Sequence, residues 1–276
     1  MRREKIKKKG IHVLFLFFIV LFVSIAYYFF SPDVSTLRNV NIQKTSFMQY
    51  REREWQREGK KIRIRQVWMP LSQISPFLIK AVLISEDDKF WRHDGFDFDA
   101  IENAMEKDIK EKKFRFGAST ISQQLARNLY LSPSKNPLRK IQEAILTWRM
   151  EKILTKRRIL ELYLNVAEWG EGIFGIEAAS RFYYDKSASA LDPAEASRLA
   201  SVLPNPRKYN PVGTSRFVLK RSRIIYNIIV RRGIVIPQYQ EVMAVRSKGG
   251  NSETPSGQGV NQGPVNIVVS PATMSQ

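Results

Sequence analysis

The chain has 276 residues, of which 43% are apolar and 11% aromatic, enough for one medium domain with a real core plus appendages. It contains no cysteine, which excludes disulfides, thiolate nucleophiles and cysteine-ligated metals. Its formal net charge of +19 points to polyanionic partners: nucleic acid, acidic lipid head groups or phosphorylated substrates.

Residues 1–10, "MRREKIKKKG", form a basic tail with Arg2, Arg3, Lys5, Lys7, Lys8 and Lys9 against Glu4. The uncharged run Val13–Phe30 follows. As a helix it spans roughly 27 Å, close to the hydrocarbon thickness of a bilayer. A single transmembrane anchor over 11–31 is expected, with Tyr27 and Tyr28 at the interface. The basic flank places the N-terminus in the cytoplasm and the rest of the chain outside. A cleaved signal peptide fits less well, because its apolar core is usually only ~7–15 residues.

Residues 32–70 read as a juxtamembrane stalk, charged throughout and alternating only in "IRIRQVW". From 71 to 246 the pattern is helical. Pro76 opens an apolar helix that runs into Glu86. "FDFDAIENAMEKDIK" is a second helix. "STISQQLARNLYL" is a third, with Ser119 or Thr120 as cap and Gln123 completing a capping box. A long amphipathic helix follows, with Leu138, Ile141, Ile145, Trp148 and Ile153 at helical spacing. "KRRILELYLNVAEW" ends at Gly170 and Gly172. Asp192 caps another helix with Pro193 at its first position. The last helix stops at Gly233. Little strand and no repeat is visible. The Gly/Ser/Pro-rich residues 247–276 read as a disordered tail.

Four clusters carry chemistry. In "EDDKFWRHDGFD", Glu86 emerges from an apolar helix, and partial burial raises a carboxylate pKa toward that of a useful general base. Phe90 and Trp91 can wall such a site, and His93 can orient a carboxylate. The same stretch also reads as a charged surface loop with aromatic anchors. In "GASTISQQLARN", Gln124 and Arg127 share a face, suited to sugar or phosphate or simply solvated. In "RKIQEAILTWRME", Arg139 and Lys140 precede Glu143 by four and three residues, a surface ion-pair stripe or a grip on a diphosphate. In the fourth, Arg157–Tyr184, Glu161 and Asn165 read as structural polar contacts and the glycines as a bend.

Taken together and in order, "EDDKFWRHDG", "GASTISQQLARN", "RKIQEAILTWRME" and "KRRILELYLNVAEWGEGIFGIEAA" closely resemble the peptidoglycan glycosyltransferase family, the glycosyltransferase domain of penicillin-binding proteins. The resemblance runs from about Pro76 to Pro211, and the chain's length is similar to that of the monofunctional members. It implies a mainly α, lysozyme-like lobe with a small membrane-facing jaw, on a single N-terminal transmembrane helix. It implies polymerisation of lipid II into β-1,4-linked glycan with inversion and release of undecaprenyl diphosphate. By match to the motifs, Glu86 is the general base and Glu143 the second carboxylate, held by Arg139 and Lys140 near the diphosphate. Thr120, Gln124 and Arg127 match positions that bind donor sugar and diphosphate, and Asp87, Phe90 and His93 match positions that shape the first site. Arg127 departs from the lysine usual there. The segment Lys107–Gly117 is the expected jaw, dipping toward lipid.

No cofactor is required on this reading, although a divalent cation, magnesium or manganese, could bridge diphosphate and Glu143. Partners are lipid II, the growing strand, membrane lipid and other cell-wall synthesis proteins. Location is the bacterial cytoplasmic membrane with the catalytic domain outside. Nucleic acid is not expected, since no recognition motif accompanies the charge. The rival is a lytic hydrolase on a similar scaffold, which would have no diphosphate to hold. Ser132–Lys135 has Ser-x-x-Lys spacing but lacks the accompanying motifs of a transpeptidase.

Overall fold

The described residues, 2–111, 119–133 and 138–233 of the computed structural model, contain ten α-helices, four short 3-10 helices and three short strands. All of these lie in one unit, Met1–Pro237. The expected domain end at 246, the tail 247–276 and residues 112–117 of the basic aromatic segment lie outside the described residues.

The helices are α1 (Arg2–Phe30), α2 (Ser46–Arg57), α3 (Pro76–Glu86), α4 (Phe98–Glu111), α5 (Ile121–Tyr130), α6 (Leu138–Ile153), α7 (Lys156–Val166), α8 (Ile176–Tyr184), α9 (Pro193–Val202) and α10 (Arg216–Arg232). The strands β1 (Arg65–Gln66), β2 (Glu168–Gly170) and β3 (Ile173–Phe174) form one sheet of order β1-β3-β2, parallel between β1 and β3 and antiparallel between β3 and β2. The mainly helical class expected from the sequence is the one observed. Among the described residues one helix, at the N-terminus, is long and apolar enough to cross a membrane. It starts at Arg2, so the basic residues are continuous with the apolar run in one helix.

Two helix groups build the lobe. In one, α3 packs on α9 and α10; in the other, α5 packs on α6, α7 and α2. The reason is periodicity. On α10, Val218, Ser222, Ile225 and Ile229 recur at intervals of four, three and four and are buried, an apolar stripe one turn wide. Leu78, Ile79 and Val82 of α3 and Leu199 and Val202 of α9, the helices packed on α10, are also fully or nearly fully buried. Each such side chain contributes about 1.5–3 kcal/mol. Helix ends follow local signals: Thr120 and Asp192 each close a capping box, Pro76 stands in the first turn of α3, and Gly233 follows α10 at φ 61°.

Two expectations are corrected. Residues 32–70 are built into the lobe over most of their length instead of forming a stalk. Leu37, Met48 and Trp55 are buried, Met48 and Trp55 cluster with Phe174, and β1 pairs with β3. Arg51 and Glu168 join α2 to β2. Among its charges, α2 carries only two buried side chains, Met48 and Trp55, seven residues apart. That stripe is too sparse to register as amphipathic. The stripe on α6 is only partly a core face: Ile145 is buried. Ile141 and Trp148 are 44% and 49% exposed, while Glu143, Leu146, Thr147 and Met150 face inward. Trp148 meets Phe29 of α1 edge-on at 6.5 Å.

Candidate active site

Glu86 is the last residue of α3. Its side chain is 10% exposed and lines a cleft with Asp88, Lys89, Asp97, Ser119 and Thr120. Gln124 of α5 donates from Nε2 to Glu86 Oε2 at 3.1 Å. The other end of that amide is also engaged, because Tyr163 donates its hydroxyl to Gln124 Oε1 at 3.0 Å. Tyr163 is fully buried on α7, and burial pushes its phenol well above the ordinary range, with the nearby Glu86 charge adding to the shift. It therefore stays a donor. A tyrosine here, rather than a phenylalanine, was the only sequence sign of this contact.

Arg127 follows Gln124 by three residues, so both lie on one face of α5 with Cβ atoms about 5–6 Å apart. Arg127 Nη1 lies 4.0 Å from Glu143 Oε2. Glu143 is completely buried on α6; Arg139 Nη1 reaches the same oxygen at 3.0 Å, and Lys140 Nζ contacts the other. Lys140 also donates to Ser119 Oγ at 3.3 Å, tying α6 to the turn before α5. Three cations thus converge on one buried carboxylate, and the Arg127 and Lys140 side chains remain 32% and 53% exposed. A single turn of α5 spans the distance from the acid to this cluster.

The other expected site residues are brought to the same region, but as scaffold. Asp87 is buried; its carboxylate receives the Ile121 backbone N–H at 2.9 Å and faces His93 Nε2 at 2.9 Å. Gly95 N–H donates to His93 Nδ1 at 3.1 Å, which makes Nδ1 an acceptor and leaves Nε2–H to donate to Asp87. Phe90 is fully buried beneath Lys156, whose Nζ lies 4.6 Å from the ring centre. Thr120 caps α5 and donates its hydroxyl to the Gly95 carbonyl at 2.7 Å. A side chain at Gly95 (φ +94°) would put its Cβ 2.8 Å from Thr147 Cγ2, so the loop can close on α6 only with glycine. These side chains hold the loop and the start of α5 in place. Glu143 has no exposed surface and lies beneath the cations. Asn165 and Glu161 are structural, as read: the Asn165 side chain bonds Met69 N and O, and Glu161 accepts from Leu71 N.

Among the described residues no group of three His, Asp or Glu side chains could hold a metal, and both Glu143 oxygens are taken by Arg139 and Lys140. This donor set does not fit a protein-held divalent cation.

A family model described as Transglycosylase matches residues 54–230. The chain belongs to the transglycosylase family. Three curated members, each named biosynthetic peptidoglycan transglycosylase, show how near the likeness is. The protein from Nitrosospira multiformis is 46% identical over 212 residues, covering 77% of this chain and 92% of that one. Those from Azoarcus sp. strain BH72 and Aromatoleum aromaticum are each 50% identical, over 192 and 190 residues, covering 70% and 67% of this chain and 83% of each relative. The family match begins at 54, inside α2, so this transglycosylase domain takes in part of the segment read as a stalk.

Proposed function

We propose that the protein is a membrane-anchored peptidoglycan glycosyltransferase that polymerises lipid II. Glu86 accepts the proton of the acceptor's 4-hydroxyl as that oxygen attacks the donor's anomeric carbon. The bond from that carbon to the diphosphate oxygen breaks, its electrons leave with undecaprenyl diphosphate, and the new linkage is β-1,4 with inversion. Arg127, Arg139 and Lys140 stabilise the charge that grows on the leaving group. Glu143 holds those three in place. Gln124 aims the base, while Asp87, Phe90, His93 and Thr120 keep its loop in register. Holding two sugars side by side removes the entropic cost of a bimolecular encounter. The N-terminal helix keeps the site at the membrane where a lipid-tailed substrate resides, with the N-terminus cytoplasmic and the lobe outside.

The observation that supports this reading best is α5 itself, which carries Gln124 on the acid and Arg127 in the cation cluster one turn away. A glycan hydrolase has no use for three cations around a leaving group that carries no phosphate. The test supplies lipid II and finished glycan separately. Chain growth from lipid II, abolished in Glu86→Gln with an unchanged melting temperature, is the expected result; shortening of finished glycan with no growth would mean a hydrolase.

A further inference from the structure

One further cation reaches the acid from the far end of the chain, outside all four motifs. Arg221 of α10 donates from Nη2 to the Ser85 carbonyl and to Ser85 Oγ, each at 3.0 Å. The same nitrogen lies 3.6 Å from Glu86 Oε1. The Ser85 hydroxyl in turn lies 2.8 Å from Glu86 Oε1 and 3.2 Å from the Ala200 carbonyl of α9.

The proton count fixes the direction of these contacts. A guanidinium can only donate, so Arg221 occupies a lone pair of Ser85 Oγ and leaves the single hydroxyl proton for Glu86 Oε1, which is nearer than the Ala200 carbonyl. The Ser85 carbonyl lies in the last turn of α3, where no intrahelical donor remains for it, so Arg221 also caps that helix. Eleven residues further, Arg232 lies on the same face of α10, since eleven residues make about three turns. It pairs with Asp88 at 2.8 Å, but both groups are about half exposed, and a pair in that setting contributes little.

We propose that Arg221 is a positioning residue for Glu86, acting through Ser85. Gln124 holds Oε2 and the Ser85 hydroxyl holds Oε1, so the carboxylate is fixed between two donors and keeps one direction toward the cleft. This rests on the reading of Glu86 as proton acceptor. The motif stretches do not contain Arg221; the sign in the sequence is an arginine flanked by the buried stripe of α10, where a solvated residue would be expected on the outer face.

The experiment compares full-length Glu86→Gln, Arg221→Gln, Arg221→Lys, Ser85→Ala, the Ser85→Ala/Arg221→Gln double variant and Arg232→Gln, with kcat and KM for lipid II and a thermal melt for each. Loss of an aiming hydrogen bond to a charged group should lower kcat about 10- to 100-fold in Arg221→Gln, with KM within about threefold. Arg221→Lys should recover part of that loss, and the double variant should be no worse than Arg221→Gln, because the two side chains act as a unit. Arg232→Gln should stay within about twofold. Three results would overturn the inference: kcat of Arg221→Gln within about threefold of wild type, strictly additive losses in the double variant, or an equal loss in Arg232→Gln. Should Arg221→Gln fold poorly, Ser85→Ala and Arg221→Lys decide. An active Glu86→Gln sinks the reading of Glu86 itself, which separates the two failures.

Discussion

Arg127 stands where a lysine is usual in the family that the motifs resemble, and its geometry says what that exchange means. One nitrogen, Nη1, lies 4.0 Å from Glu143 Oε2, longer than the two parallel short bonds of a bidentate guanidinium–carboxylate fork. What this position supplies toward Glu143 is then a point charge. Arg127→Lys should therefore keep kcat/KM within about threefold, while Arg127→Gln, which removes the charge, should cost about tenfold or more; both are read in a lipid II polymerisation assay, and a Lys variant as damaged as the Gln variant would restore the fork. At this scale the sequence was partly legible. Glu86, Gln124 and the Arg139/Lys140/Glu143 trio could be singled out as candidates because each signal is local, within one or two turns of one helix. Their partners were not. Gln124 is 38 residues from Glu86, and Arg221 is 136 residues from Ser85, and nothing in a linear pattern joins them. Burial was equally invisible. Glu143 reads as a surface ion pair, yet it lies wholly beneath its cations.

Elements with local punctuation were legible. Caps, a first-turn proline and a terminal glycine are properties of a few adjacent residues, so α3, α5, α9 and α10 are found near their true ends. The segment before residue 70 was not, because its order comes from distant partners. Arg51 of α2 bonds Glu168 Oε2 through Nε at 3.2 Å and Nη2 at 2.8 Å, and Glu54 through Nη1. Glu54 also takes Arg207 at 2.8 Å. Glu168 is buried with its other oxygen unpartnered. Burial pushes its carboxyl up and Arg51 pulls it back; we judge that burial wins, since Arg51 engages only one of the two oxygens. The sign follows. A carboxyl whose pKa is higher in the fold than in the unfolded chain holds its proton more tightly when folded. It favours the fold most below its ordinary value of 4.5, and that contribution declines as pH rises through the raised folded value. Glu168→Gln should remove this decline. The melting temperature of the variant minus that of wild type should climb from pH 4 toward neutrality and then level off. A difference that falls over the same range would mean that the Arg51 pairing outweighs burial.

Across the described residues, a helix long and apolar enough to cross a membrane is joined to a cationic site, and the joint is specific. Arg149 of α6 donates to the Tyr28 carbonyl at 3.0 Å and the Phe30 carbonyl at 3.3 Å. It thereby satisfies carbonyls at the C-terminal end of α1 that have no intrahelical donor. Phe29 packs edge-on against the neighbouring Trp148. Nine residues separate Arg149 from Lys140 on the same helix, about 14 Å at 1.5 Å per residue. So α6 is a rigid bracket with the end of α1 at one place and the cation cluster at another. On the proposed function a lipid-linked diphosphate is confined to the head-group layer, and a bracket of fixed length would hold the cations at a set distance from it. Releasing the bracket should cost encounter with a bilayer-embedded substrate and leave the chemistry intact. Arg149→Ala is expected to raise KM for lipid II in vesicles about 3- to 10-fold, the worth of losing such hydrogen bonds, with kcat unchanged. With a short-chain, water-soluble lipid II analogue the variant should match wild type. An equal loss on both substrates would instead mean that Arg149 supports the fold of α6 and the cation cluster rather than its height above the membrane.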